Sequence, residues 1–319
     1  MSISRRDFFK KSLAAGAGVA AASMIGPLVP EVEAKKAGKM FGKAKRVIIM
    51  TFDGIRVDGL LQANTPNIDM LMDNGSVSLT TRDVMPSVTL PNYTSHLLGA
   101  GPEVHGVADN GWKVDKYKLQ AVETDADGYF PSVFKVLKDN VRGIKTAYYW
   151  NWLPLINSIN QKYLDDKLSA SDEGYPELYD RAMEYIGHHK KDKMFMFLYN
   201  VHTDHIGHTY EWMSPEYIKS IEEGDVQVGR MIDFLKKEGL FEETHLMFIT
   251  DHGGIGKGHG GVSHEEMIVP WVIKGPGIKK GFSITEANNT VNTASTVLHL
   301  FGVEQPLCWT GEVPMSIFG

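Results

Sequence analysis

Cysteine is nearly absent. Cys308 stands alone, so no intrachain disulfide can form. Basic charge is also short: 33 lysines and arginines face 39 aspartates and glutamates, a net charge of −6. A nucleic-acid-binding surface would show the opposite balance. Runs such as KKDK at 190–193 read as solvated surface. No internal repeat or low-complexity tract follows the first few dozen residues. What is present is ordinary globular material, 319 residues of which 43% are hydrophobic and 23% charged. That suffices for a sizeable core, in one large domain or two small ones.

The N-terminus differs from the rest. "SRRDFFKK" pairs Arg5 with Arg6 ahead of Phe8, Phe9 and Lys10, and an Ala/Gly-rich run follows from Leu13 to Val29. "VEAKK" then sets Val32 and Ala34 where a small-residue cleavage signal stands. Residues 1–34 resemble a twin-arginine export signal. The competing reading is a membrane anchor, but the run is short for a spanning helix and is broken by Pro27 and Pro30. A cleaved signal implies the twin-arginine export machinery as a partner, a periplasmic or otherwise exported product, and no stable membrane anchor. As that resemblance implies, the route carries folded proteins, so folding and metal insertion would precede export. A reducing compartment agrees with a single cysteine.

From about residue 40 onward, short apolar runs alternate with longer amphipathic ones. The pattern is that of an α/β domain, residues 35–319, with a largely parallel central sheet flanked by helices on both faces. Strands are expected at 46–52, 144–150, 193–201, 245–250 and 269–275, near-continuously apolar and so covered on both sides. A helix is expected over 65–75, with Thr65 as cap, Pro66 in its first turn and Gly75 as stop. Longer helices fit 175–189 and 214–239, the second with Ile218, Ile221, Val228, Ile232 and Leu235 near one face. Another fits 292–302. The stretch 108–129 has no clear period and reads as a loop or a small cap over a site.

Ligands in such sheets bind beyond the carboxyl ends of the strands. Asp53, Asp204 and Asp251 all fall there, after "RVIIMTF", "KMFMFLYNVHT" and "HLMFIT". One aspartate there could be a helix cap or a turn former; three beside other metal-capable residues point to a metal site. Half of the twelve histidines lie within 202–208 and 252–264. "DHIGH" sets Asp204 and His208 four apart, within reach of one ion if a turn or helix follows the strand. Phe248 to Glu266 crowds three histidines and Asp251 among six glycines, which would bend the loop so that side chains converge. Mixed carboxylate and imidazole donors suit zinc better than manganese or iron. His188, His189, His245 and His299 have surface or helix explanations, and His96 and His105 read as structural.

In order, "TFDG" (51–54), "TPNIDML" (65–71), "SVTLPNYTSHLLGAGPEVHGVADN" (87–110), "DHIGH" (204–208), "TDHGG" (250–254) and "SHEEMIVP" (263–270) resemble the alkaline phosphatase superfamily. They look closest to its nucleotide pyrophosphatase/phosphodiesterase branch. The resemblance implies a two-zinc hydrolase with a covalent intermediate on a threonine or serine. One zinc would be held by Asp204, His208 and His264, with His259 competing for the third place. The other would be held by Asp53, Asp251, His252 and the hydroxyl of Thr89. His202 and His205 would support the site or rim it. Thr89 would be the nucleophile, its hydroxyl acidified by the metal. Standing before Leu90-Pro91 it would also cap a helix, setting phosphorus over free backbone N–H groups and the positive dipole end. Asn110 matches an asparagine that donates to a non-bridging phosphoryl oxygen, and Tyr199 an aromatic lining the leaving-group pocket. Leu90 stands in the substrate-binding place where an aromatic partner often sits, which weakens the case for a sandwiched nucleobase.

"TLPNY" lacks the cysteine and arginine that sulfatases of the superfamily need. No Lys-x-Arg occurs and arginines are few, so a monoanionic diester is a better match than a dianionic monoester. The expected activity is a type I phosphodiesterase acting on a small phosphate ester. The alternatives are a phosphomonoesterase or phosphonate hydrolase of the same superfamily, and outside enzymes a metal-binding protein with a degenerate site.

Overall fold

A computed structural model describes residues 42–319. The paired arginines and the run that follows them lie outside the described residues. Eight strands form one sheet, β1 (Arg46–Phe52), β2 (Ser76–Arg82), β3 (Lys145–Trp150), β4 (Asp166–Ser169), β5 (Met194–Asn200), β6 (Thr244–Ile249), β7 (Ile268–Lys274) and β8 (Phe282–Ser283). Their order is β4-β3-β5-β1-β6-β7-β2-β8. Every neighbouring pair is parallel except the two that β7 makes, with β6 and with β2. The largely parallel sheet expected from the sequence is therefore present. β2, β4 and β8 were not marked by any apolar run: β2, "SVSLTTR", is mostly polar, and the other two are short edge pieces.

β1 shows why the apolar runs are unbroken. Val47 and Ile49 enter one core cluster, while Ile48, Met50 and Phe52 enter the other. Both faces are roofed by helices. One face takes α3 (Thr89–Leu98), α5 (Val133–Asn140) and α10 (Asn292–Phe301), through residues such as Tyr93, Phe134 and Val297. The opposite face takes α1 (Val57–Gln62), α2 (Pro66–Asp73), α6 (Tyr175–His188) and α8 (Pro215–Lys237). α8 buries the five residues expected on its apolar stripe, and Ser214 caps it by accepting from the Tyr217 N–H at 3.2 Å. α4 (Pro102–His105), α7 (His202–Tyr210) and α9 (His264–Met267) are shorter. No helix among the described residues is long and apolar enough to cross a membrane. Residues 108–129 are turns and bends with one isolated bridge, Lys113 to Lys116.

β5, β1 and β6 are adjacent and parallel at the centre of the sheet, so their carboxyl ends share one edge. Asp53 follows β1 directly, Asp251 follows β6 after Thr250, and α7 begins just beyond β5 with Asp204 in its first turn. Three aspartates far apart in the chain are brought together by strand order alone.

Candidate metal centre

All three carboxylates are buried: Asp53 and Asp251 fully, Asp204 to 6% exposure. Burial, then the charges of Asp251 and Asp204, push the Asp53 carboxyl well above its ordinary range. Burial likewise raises Asp204 and Asp251 to about 6 each. Asp251 Oδ1 is held by the Gly54 N–H at 3.1 Å, and Tyr199 donates its hydroxyl to Asp53 Oδ2. The remaining oxygens Asp53 Oδ1, Asp251 Oδ2 and Asp204 Oδ1 have no hydrogen-bond partner.

What faces these orphaned oxygens is a set of imidazoles in one fixed tautomer. His252 Nδ1 lies 2.8 Å from the Gly253 carbonyl, His259 Nδ1 2.9 Å from the Ser87 carbonyl, and His208 Nδ1 2.8 Å from the Lys257 carbonyl. A carbonyl only accepts, so each Nδ1 carries the proton and each Nε2 turns its lone pair inward. His252 Nε2 stands 3.1 Å from Asp251 Oδ2 and 3.4 Å from Asp53 Oδ1. His208 Nε2 is 3.5 Å from Asp204 Oδ2, and His259 Nε2 is 3.7 Å from Asp204 Oδ1. Burial lowers His252 to about 3 and His259 to about 4, so neither supplies a second proton near neutrality.

Histidine lone pairs and carboxyl oxygens therefore crowd one buried point, which Asp53 meets on its own only by keeping a proton. A cation resolves this. Donors about 2.1 Å from one tetrahedral ion lie about 3.4 Å apart, close to the spacings found here. Two groups of donor atoms are close enough to share an ion, Asp53 with Asp251 and His252, and Asp204 with His252 and His259. The donor set fits divalent metal, and the Nδ1–carbonyl contacts are the supports that orient metal-binding histidines.

Thr89 Oγ1 lies 3.3 Å from His252 Nε2, within the same cluster. It does not cap its helix: Val88 occupies the cap position, Thr89 is the first helical residue, and no side chain caps that end. The expected cap role falls away, and the hydroxyl is left facing the candidate metal position. Asn110 Oδ1 accepts from the Leu90 N–H at 2.8 Å, which brings Asn110 beside Thr89 and leaves its Nδ2 as the side-chain donor. That N–H is thus not free for phosphate, as the sequence had suggested.

Three further expectations need correction. His264 is exposed as the first residue of α9, behind the Ser263–Glu266 capping box, and is absent from both donor groups. His259 stands in its place beside Asp204, its ring stacked on His252 with centroids 3.7 Å apart. Leu90 is fully buried in the core, so it cannot line an open pocket. Tyr199 is also buried, with its ring edge-on to Tyr93 at 5.0 Å and its hydroxyl spent on Asp53. Its place is behind the carboxylate, and it lines no leaving-group pocket.

Trp212 was missed. Its indole packs against His208 at 5.0 Å and His259 at 5.9 Å, and its Nε1–H donates to the Gly54 carbonyl at 2.8 Å. The residues on either side carry left-handed backbones, Glu211 with φ 82° and Met213 with φ 70°. Such strain persists where the surroundings over-determine it. Two of the motif glycines make room for this ring. A Cβ at Gly207 would lie 2.8 Å from the indole, and one at Gly254 2.4 Å from it. Among the six glycines of 248–266, only Gly256 and Gly260 hold left-handed φ. Close packing accounts for others of them better than bending does. The tightness of "DHIG" and "DHGG" was a signal for a large side chain, without saying which.

Comparison with known proteins bears on the family and the fold. The family model for type I phosphodiesterase/nucleotide pyrophosphatase matches residues 47–259. An uncharacterized pyrophosphatase/phosphodiesterase of Schizosaccharomyces pombe is 28% identical over 217 residues, 65% of this chain and 44% of that protein. Human ectonucleotide pyrophosphatase/phosphodiesterase family member 1 is 27% identical over 218 residues, again 65% of this chain but 23% of that protein. The matched part thus spans less than half the length of these relatives. Among solved structures, an inactive threonine-to-alanine variant of murine ectonucleotide pyrophosphatase/phosphodiesterase 5, in complex with AMP, superposes with TM-score 0.73. That match has 16% identity and covers 86% of this chain and all of that one. The lipoteichoic acid synthase LtaP of Listeria monocytogenes superposes with TM-score 0.66 at 17% identity, over 89% of this chain and 81% of that one. At such identities the structures establish a shared alkaline-phosphatase-like fold.

Proposed function

The chain belongs to the type I phosphodiesterase/nucleotide pyrophosphatase family, and from that premise we propose that it is an exported two-zinc phosphodiesterase working through a phospho-threonine intermediate. One observation carries this reading: a threonine hydroxyl that caps nothing lies 3.3 Å from the Nε2 of a neutral histidine shared by two metal-capable groups. Asp53, Asp251, His252 and Thr89 would hold one ion, and Asp204, His208 and His259 the other. When bound, the ions supply Lewis-acid polarisation of the phosphoryl group and acidify the threonine hydroxyl.

Thr89 Oγ1 attacks phosphorus; the Oγ1–P bond forms as the bond to the ester oxygen breaks, and the alcohol leaves. Water then cleaves the Oγ1–P bond, restoring the hydroxyl and releasing the phosphate monoester. Asn110, oriented by its bond to the Leu90 N–H, donates Nδ2–H to a non-bridging oxygen. The start of α3 adds a positive dipole end at the same point. Among the described residues no lysine or arginine pairs with Asp53, Asp204 or Asp251. Without such added positive charge a monoanionic diester is the better substrate. The AMP bound by the murine protein supports a small phosphate ester as the substrate class. The leader, with Arg5 and Arg6, supports export to the periplasm.

The test is Thr89→Ala, assayed on bis-p-nitrophenyl phosphate and p-nitrophenyl phosphate alongside zinc content. Turnover of the diester should fall by orders of magnitude while about two zinc ions remain, because three protein ligands persist at each position. Thr89→Ser should keep substantial activity. Near-wild-type turnover in Thr89→Ala would mean that water attacks directly and the threonine is a bystander.

A further inference from the structure

The rings of His252 and His259 are held from behind by two carbonyls, those of Gly253 and Ser87. Both carbonyls trace back to one residue outside the donor groups. Glu266, the third residue of α9, is only 9% exposed and belongs to neither group. Its backbone carbonyl accepts from the Gly253 N–H at 2.8 Å, and the Gly253 carbonyl is the one that holds His252 Nδ1. Its carboxylate Oε1 accepts from the Gly261 N–H at 2.8 Å. The Gly261 carbonyl in turn accepts the Ser87 hydroxyl at 2.7 Å, and the Ser87 carbonyl is the one that holds His259 Nδ1. Two short relays thus run from Glu266 to the two stacked rings. The fit is tight at both ends. A Cβ at Gly253 would lie 1.9 Å from the Glu265 carbonyl oxygen, and one at Gly261 2.5 Å from Glu266 Oε2. Only glycine leaves room at either point.

The ordinary account of Glu266 is the capping box, in which Oε2 accepts from the Ser263 hydroxyl at 2.8 Å and from the Ser263 N–H at 3.3 Å. That account uses one carboxylate oxygen. Oε1 goes outside the helix, to a loop residue two beyond His259. A carbonyl orients an imidazole only as firmly as the carbonyl is itself held. We propose that Glu266 is the positioning residue for both His252 and His259, holding the two rings with Nε2 toward Asp53, Asp251 and Asp204. His208 lies outside this network. Its partner, the Lys257 carbonyl, sits in a turn closed by the Ile255–Gly258 pair and by the Trp212 N–H on the Gly256 carbonyl. The effect of Glu266 on zinc affinity rests on the metal reading above; its effect on ring orientation does not.

Four variants separate positioning from capping. Glu266→Ala should weaken zinc binding about 10–100-fold in competition with a chromophoric chelator, the range for losing a support behind a metal ligand. Ser263→Ala removes the cap but leaves Oε1 on Gly261, so it should lower stability and keep the affinity. Glu266→Gln puts an amide oxygen on the Gly261 N–H while its amide nitrogen donates to Ser263 Oγ, and should restore most of the binding. In zinc-free protein, the carbon-bound ring proton signals of His252 and His259 should broaden in Glu266→Ala while those of His208 stay sharp. Ser87→Ala, which cuts only the relay to His259, should broaden the His259 signals and spare His252. Wild-type zinc affinity in Glu266→Ala would overturn the proposal, as would an equal loss of affinity in Ser263→Ala. So would unchanged His252 and His259 signals in Glu266→Ala, or unchanged His259 signals in Ser87→Ala. Should the wild type itself take up no zinc, the metal reading fails, and the ring signals still decide the place of Glu266.

Discussion

Tyr199→Phe discriminates sharply between two roles for one residue. Its place five residues before Asp204 suggested a ring lining the leaving-group pocket, whereas the structure buries the ring and gives its hydroxyl to Asp53 Oδ2. The substitution removes that hydroxyl and nothing else. The ring, edge-on to Tyr93 at 5.0 Å, has no reason to move. If Tyr199 supports the metal centre, Asp53 loses the tyrosine donor to its Oδ2 and its orientation is left to the ion. Removing such a support costs about 10–100-fold in metal affinity, or roughly 1.4–2.7 kcal/mol. Competition with a chromophoric chelator reads this directly, and kcat at saturating zinc should recover most of the wild-type value. A pocket-lining ring makes the opposite prediction, since phenylalanine keeps the face on which a leaving group packs. Unchanged zinc affinity in Tyr199→Phe, or a large KM change on aryl esters at saturating zinc, would refute the support role.

Three other outcomes are expected. His259→Ala should lower zinc content and diester turnover by at least tenfold, while His264→Ala should leave both near wild type; the reverse would restore His264 as ligand. His105, whose folded pKa burial holds at about 3, stays neutral while the unfolded chain takes up a proton near 6.5, so it withdraws stability as pH falls below 6.5. That loss is about 2 kcal/mol between pH 7 and pH 5. In His105→Asn, whose amide oxygen can accept the Val107 N–H in place of Nδ1, urea-unfolding free energies should fall that much less over the interval. Parallel pH profiles would count against it. Finally, lysines in place of Arg5 and Arg6 should hold the protein in the cytoplasm, which fractionation reads; unaltered export would mean another kind of leader.

The parts of the fold legible in the sequence were those with one strong local cause. Unbroken apolar runs marked β1, β3, β5, β6 and β7 because each strand is buried on both faces. β2 carries Ser76, Ser78, Thr80 and Thr81, and its pairing with β7 and β8 is what reveals it as a strand. The site divides the same way. Asp53, Asp204 and Asp251 were readable because a strand end is a local landmark, and parallel order does the rest. That His259 rather than His264 stands beside Asp204 was not readable. Either could reach Asp204 along a glycine-rich loop, and the choice rests on the Ser87 carbonyl that takes His259 Nδ1–H from a segment far away in sequence. Tyr199 and Leu90 misled for a related reason. Spacing from a motif gives position along a strand or helix, but the direction of the side chain depends on what packs behind it.

Metal removal should expose what the carboxylate cluster costs. Without an ion, Asp53, Asp204 and Asp251 are three acids buried at adjoining strand ends, their unpartnered oxygens facing histidine lone pairs. Asp204 and Asp251 titrate at about 6 in the folded chain against 3.8 in the reference state. A raised carboxyl pKa means that folding binds protons. The charge penalty is therefore full above pH 6 and is relieved as pH falls toward 4. An ion removes the same penalty without a proton and competes with protons for the same oxygens. At free zinc about a thousandfold above Kd the stabilisation is about 4 kcal/mol. For a domain of this size that is a rise in Tm of roughly 8–16 °C. Calorimetry of chelator-treated and zinc-reloaded protein at pH 7.5 should show that gap, and at pH 5.5 it should narrow. A chelated protein that melts with the reloaded one at pH 7.5 would mean the cluster holds no ion. A gap that widens on acidification would mean that the carboxylates are not what the ion neutralises.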